Sequence, residues 1–245
     1  MWQWYNSRIV DIRRQSPATR QFFLEVETPD NTPFVFQAGQ FVTMDLPISE
    51  KRLKRWRSYS IASAPNEANN ILEFSISRAA ESTGGTKYLF EEAVIGTDIK
   101  FKGPDGAFTL KHPPAENDLI FICTGTGVAP FKSIIDDILF KKISPRHIHL
   151  IFGARKEADI LYRKEFEALA NSTDWFHYDV ALSREPDWKG AKGYVHPIYL
   201  EKYKDKIADR HFYICGWTNM IDEAVENLML TLGYERPQIH YELYG

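Results

Sequence analysis

Only two cysteines occur among the 245 residues, Cys123 and Cys215, far apart and without a CxxC spacing. A four-cysteine iron–sulfur cluster is therefore impossible within this chain. Each cysteine reads as a small buried residue, and no metal site is expected. No apolar run approaches the roughly 20 residues that cross a bilayer as a helix. The start, Met1-Trp2-Gln3-Trp4-Tyr5, has neither the basic nor the apolar region of a signal peptide. These absences lead to the expectation of a cytoplasmic protein with no membrane span. Net charge is only -3, which argues against nucleic acid as a partner. With 44% hydrophobic and 26% charged residues, the chain can fill two ordinary cores, each of about 110–130 residues. A monomer is expected.

What is present changes character half-way. Up to about residue 110, short runs rich in aromatic and branched residues (19–27, 40–46, 71–78) are broken by Pro29, Pro33, Gly39, Pro47 and Pro65. Many short strands without a long helix predict an antiparallel barrel or sandwich. One short helix is expected over 87–92, after Ser82-Thr83-Gly84-Gly85-Thr86. The polar, proline-bearing run 111–117 reads as a domain linker.

Beyond it, strands expected over 119–123, 147–153, 176–182, 211–215 and 238–243 alternate with helices over 129–141, 159–170 and 220–232. That alternation predicts a parallel sheet covered by helices, with ligands beyond the carboxyl ends of its strands.

Four stretches carry candidate chemistry. Arg57-Ser58-Tyr59-Ser60-Ile61-Ala62-Ser63 would present, on one face of an extended strand, a cation, a ring and a hydroxyl. Arg57 can grip phosphate with its fork of donors, Tyr59 can stack, and Ser60, next in line, can donate to a ring atom. A flavin nucleotide fits this set, and so does a plain half-buried strand with a paired arginine. Gly84, Gly85 and Thr86 precede a helix start, where bare N–H groups bind anions; an ordinary glycine-rich loop is the rival. Thr124-Gly125-Thr126-Gly127-Val128-Ala129-Pro130 lets backbone approach a pyrophosphate. Ser183-Arg184 with Lys192 and Tyr194 suits a phosphate monoester such as the 2′-phosphate of NADP, or forms a surface loop. Lys51, Arg52, Lys54, Arg55 and Arg57 crowd together as a solvated loop or a dock for an acidic protein.

Taken together, the stretches resemble the ferredoxin–NADP reductase family across nearly the whole chain. Phe36-Gln37-Ala38-Gly39-Gln40-Phe41-Val42, Arg57 to Ser63 and Gly103-Pro104-Asp105-Gly106-Ala107-Phe108 look like its flavin domain. Thr124 to Pro130 with Phe131, Cys215-Gly216 followed by Met220, and the ending His240-Tyr241-Glu242-Leu243-Tyr244 look like its second domain. Each motif is modest, but their order is specific.

The resemblance implies an antiparallel β-barrel FAD-binding domain over 1–114, then an α/β parallel-sheet domain over 115–245 for NADP(H), with NAD(H) also admissible. It implies that Arg57 contacts the FAD pyrophosphate, beside Ser58, and that Tyr59 stacks on one ring face. Ser60 would hydrogen-bond near the hydride-accepting nitrogen. Gly84, Gly85 and Thr86, where the family usually has serine, would clamp a second phosphate, with Arg78 a further cofactor contact. Gly125, Thr126 and Gly127 would line the nucleotide pyrophosphate. Ser183, Arg184, Lys192 and Tyr194 would hold the 2′-phosphate. Cys215 would pack beside the nicotinamide, Glu242 would position it, and Tyr244, one residue before the terminal Gly245, would cover the other flavin face.

The expected activity is that of an FAD-dependent reductase moving hydride from NADPH to flavin. Single electrons would then pass to or from an acidic carrier, ferredoxin or flavodoxin. An NADH-dependent reductase component of an oxygenase or cytochrome system, and a non-enzymatic nucleotide-binding regulatory subunit, are the alternatives.

Overall fold

Strand β2 (Thr19–Glu27) buries Phe22, Leu24 and Val26 while Glu25 and Glu27 face solvent. This period-two pattern makes one side of a sheet a core and leaves the other wet. The same logic builds β1 (Trp4–Arg14), β3 (Phe41–Asp45), β4 (Trp56–Ser60), β5 (Ile71–Ser77) and β6 (Asp98–Asp105). The computed structural model describes residues 3–29, 32–66, 69–78 and 84–243. The six strands pair antiparallel in the order β4-β3-β6-β1-β2-β5. Ala62 N–H, just past β4, donates to Glu73 O of β5 at 2.8 Å, so the two edge strands meet and the sheet curls into a barrel. Phe22, Phe74, Phe101, Val42 and Ile61 fill it.

A second sheet is wholly parallel. β7 (Asp118–Thr124) is buried without a break from Leu119 to Cys123, as a central strand covered on both faces must be. It lies in the order β10-β9-β8-β7-β11-β12, with β8 (His147–Ala154), β9 (Phe176–Leu182), β10 (Ala191–Lys192), β11 (Arg210–Gly216) and β12 (Ile239–Leu243). Both parts of the expected fold are present.

The differences in detail have local causes. The basic run after residue 50 is not all loop: Arg52–Arg55 forms helix α1, and Gly85–Glu91 forms α2. Helix α3 (Ala129–Phe140) starts with Pro130 in its first turn. The helix expected over 159–170 instead runs Arg163–Ser172 (α4), because Tyr162 before it adopts a left-handed φ of 54°. Helix α5 (His196–Lys202) was not expected from the sequence. Helix α6 (Thr218–Glu226) ends in a wider turn over Asn227–Thr231, shortening the stretch expected over 220–232.

The chain divides into two compact units, Met1–Thr109 with Ala129–Phe140, and Leu110–Val128 with Lys141–Gly245. This departs from a simple cut between 114 and 115, since α3 counts with the barrel. There Ser133 Oγ donates to Ser63 O at 2.7 Å, and Phe131 meets Phe108 edge-on. The run expected as a linker belongs to the second unit: Lys111 N–H donates to Tyr213 OH at 3.0 Å, and Arg146 N–H to Pro114 O at 2.8 Å.

Candidate functional site

In the first unit, β4 carries Arg57 and Tyr59 on one face and, by alternation, Ser58 and Ser60 on the other. The single face of cation, ring and hydroxyl expected from the sequence is therefore split, with Ser60 buried behind the half-buried Tyr59. Ser58 Oγ shares a 3.0 Å hydrogen bond with Thr43 Oγ1. Burial pushes the Tyr59 phenol up to about 12, against the opposing pull of Arg57, which keeps the ring neutral and suited to stacking.

Arg57 lies across the start of α2. Its Nη1 donates to Lys54 O at 3.0 Å and Trp56 O at 2.7 Å, and among the described residues no carboxylate pairs with it. A Cβ on Gly85 would fall 2.7 Å from Arg57 Cγ and 3.1 Å from Leu46 Cδ1. Glycine there is what lets the guanidinium reach the helix start. The turn at Gly84 has a φ of 73°, and this N-cap residue has no side chain to cap the helix. A half-buried cation beside the first N–H groups of a helix is a place for a phosphate, so these residues fit the phosphates of FAD. Thr86 sits in the same turn. Arg78 is engaged elsewhere, 2.6 Å from Glu91. Ser82, Thr83 and Tyr244 lie outside the described residues.

In the second unit, β7 runs into a tight turn at Gly125–Val128. A Cβ on Gly127 would sit 2.4 Å from Cys215 O, so only glycine allows this turn to touch the end of β11. Trp217 N–H donates to Thr124 Oγ1 at 3.1 Å and ties the two loops together. Cys215 is buried opposite Glu242 in the parallel register of β11 and β12. Burial, and then the neighbouring Cys215, raises the Cys123 thiol well above its ordinary value. Thr126, Gly127, Cys215 and Glu242 thus gather at the carboxyl ends of three strands, where parallel sheets bind ligands.

Two strands away, Ser183 and Arg184 follow β9 while Lys192 ends β10 and Tyr194 follows it; all four are exposed. Arg155, at the end of β8, joins them because its carbonyl accepts the Arg184 N–H at 2.8 Å. Nothing in the spacing of the sequence singled it out.

Residues 6–110 match the family described as an oxidoreductase FAD-binding domain, and 121–226 the oxidoreductase NAD-binding domain. The chain is 35% identical over 246 residues to ferredoxin–NADP reductase B of Sorangium cellulosum (strain So ce56), covering 98% of this chain and 97% of that protein. The chain belongs to the ferredoxin–NADP reductase family.

Other members of the family include longer proteins. The chain is 32% identical over 243 residues to the phenol hydroxylase P5 protein of Acinetobacter pittii (strain PHEA-2), covering 98% of this chain and 65% of that one. A ferredoxin NADP+ reductase from Neisseria gonorrhoeae, solved with bound FAD and NADP, shares the fold with a TM-score of 0.79 at 24% identity, over 98% of each chain. As a ferredoxin–NADP reductase family member, the protein is an FAD- and NAD(P)-dependent oxidoreductase. Among the described residues no helix is long and apolar enough to cross a membrane.

Proposed function

We propose that the protein takes its reducing equivalents from NADPH and exchanges single electrons with a small acidic carrier, ferredoxin or flavodoxin. FAD, when bound, supplies the conversion between two-electron and one-electron transfer. The chain's own residues place the reactants. Arg57 and the start of α2 hold phosphate, Tyr59 offers a neutral ring, and Ser60 offers a hydroxyl. The turn at Gly125–Val128 admits the nucleotide pyrophosphate, with Cys215 and Glu242 beside the nicotinamide.

The observation that carries the choice of NADPH is the exposed set Ser183, Arg184, Lys192 and Tyr194 at the ends of adjacent strands. Hydroxyl, guanidinium, amine and phenol together complement a phosphate monoester. Arg184→Ala is expected to lower the NADPH-over-NADH ratio of kcat/KM by about fivefold, on the scale of roughly 1 kcal/mol for an exposed ion pair. An unaltered ratio removes Arg184 from the 2′-phosphate site.

Surface charge favours an acidic carrier. Lys51, Arg52 and Lys54 are exposed on and beside α1, whereas Arg55 is held by Asp45 at 2.7 Å. β6 adds Lys100 and Lys102, stacked against Trp4 and Trp56 at 5.7 and 4.2 Å. Such a patch raises encounter rates with acidic partners. Replacing Lys51, Arg52 and Lys54 by Ala should slow reduction of ferredoxin about tenfold at low salt, with the difference closing as salt screens the charges. Equal rates at low salt would exclude this dock.

A second reading, an NADH-dependent reductase component of an oxygenase, is favoured by the similarity to the phenol hydroxylase protein. A comparison of NADPH and NADH oxidation with ferredoxin, flavodoxin and an artificial acceptor separates the two: preference for NADH with no turnover of either carrier favours the second.

A further inference from the structure

We propose that His112, His211 and His240 form a site for one divalent transition-metal ion of the zinc class, which fastens residues 110–117 to the second sheet. Each imidazole offers one ligand nitrogen, and the three nitrogens lie within 4.8 Å of one another. A tetrahedral zinc with bonds of about 2.0–2.1 Å spaces its nitrogens roughly 3.4 Å apart, so closing the set takes a swing of the partly exposed His112 ring off its stack on His211. Three imidazoles are a sufficient protein ligand set for zinc and leave a fourth position for water or an added ligand.

The placement is built by the fold. His211 and Tyr213 alternate to one face of β11, and His240 stands opposite Tyr213 in the register of β12. Tyr213 OH receives the Lys111 N–H at 3.0 Å, which delivers the next residue, His112, onto the same face. There the His112 ring stacks on His211 with centroids 3.5 Å apart, and the His240 ring lies 5.7 Å from His112.

A second observation points to a ligand. His211 is only 6% exposed, yet its Nδ1, like the Nε2 of His240, is buried with no hydrogen-bond partner among the described residues. Buried ring nitrogens left unpaired cost free energy, and an ion held by the trio removes that cost.

The site stands apart from the nucleotide-binding ends of the strands. His211 and His240 each lie on the same sheet face as Cys215 and Glu242, nearer the amino ends of β11 and β12. The inference does not depend on which nucleotide or carrier the protein uses.

The test is calorimetric titration of the chelator-treated, flavin-loaded protein with zinc chloride, alongside magnesium chloride. Saturable binding of one zinc equivalent, no saturable magnesium binding and a zinc-dependent rise in unfolding temperature are expected. His112→Gln and His240→Gln should each weaken zinc binding at least about tenfold, while His177→Gln, a change outside the trio, should leave it intact. His112 sits on a surface segment, so its variant should retain the flavin spectrum of the parent. Zinc-edge X-ray absorption of the parent should report three imidazole nitrogens at about 2.0–2.1 Å. Absence of one-equivalent zinc binding, or binding unchanged in both trio variants, overturns the proposal.

Discussion

Arg57→Ala is expected to lower FAD affinity about 10- to 100-fold, the range that corresponds to losing a charge-assisted hydrogen bond of about 1.5–3 kcal/mol. The cause is where the Arg57 side chain lies. Its stem fills the space above Gly85, its Nη1 is anchored by the carbonyls of Lys54 and Trp56, and Nη2 is near Gly84 at the start of α2. Arg57→Lys keeps the charge but loses the planar fork, so it should fall between the two. Gly85→Ala attacks the same arrangement from the other side, because its Cβ would fall 2.7 Å from Arg57 Cγ. Fluorescence titration of the stripped proteins with FAD measures all three. Parental affinity in both Arg57→Ala and Gly85→Ala would remove this corner from the flavin site.

The second expectation concerns acid stability, and its origin is a buried network on β8 and β9. His149 Nδ1 meets Tyr203 OH at 2.6 Å, its Nε2 meets Asp179 Oδ2 at 3.0 Å, and Lys202 reaches Asp179 at 2.9 Å. The His149 hydrogen bond, with help from Lys202, holds the Asp179 carboxyl well below the usual carboxylate range. Burial lowers His149, and beside it burial and then the neighbouring His177 push His147 from 6.5 down to about 4.

A histidine with a lowered folded-state pKa stays neutral in the native protein while the unfolded chain takes up its proton. Stability is therefore full above pH 6.5 and falls as pH drops from 6.5 toward 4. The Asp179 contribution is lost at still lower pH, once its unfolded-state pKa of 3.8 is passed. His147 is partly exposed, so its share is discounted to the order of 1–3 kcal/mol. Urea unfolding midpoints across this range should fall in the parent, and His147→Gln should flatten the slope. A parent profile flat between pH 6.5 and 4, or a variant with the parental slope, would refute the assignment.

The two halves of the fold were legible because each has a short-range signature. Alternation at Phe22, Leu24 and Val26 marks a sheet wet on one side, and the unbroken apolar run Leu119 to Cys123 marks a strand covered on both. The turns proposed to bind phosphate were legible as turns for a similar reason. Arg57, Gly84, Gly85 and the turn at Gly125–Val128 sit at strand ends or helix starts, which local composition announces. Boundaries suffered where backbone geometry overrode pattern, as when the left-handed Tyr162 delayed α4.

What the sequence by itself determined, then, was the pair of sheet types and the cofactor class. Tertiary structure alone decided which residues meet. It set Ser60 on the face opposite Tyr59, moved α3 into the barrel's compact unit, brought Lys100 and Lys102 beside the basic run, pressed Gly127 onto the Cys215 carbonyl, and stacked His112 on His211. The physical reason is the reach of the forces. Propensity and periodicity act over a few neighbouring residues, whereas strand register and close packing join segments a hundred residues apart, and no local pattern encodes which partner a side chain will find there.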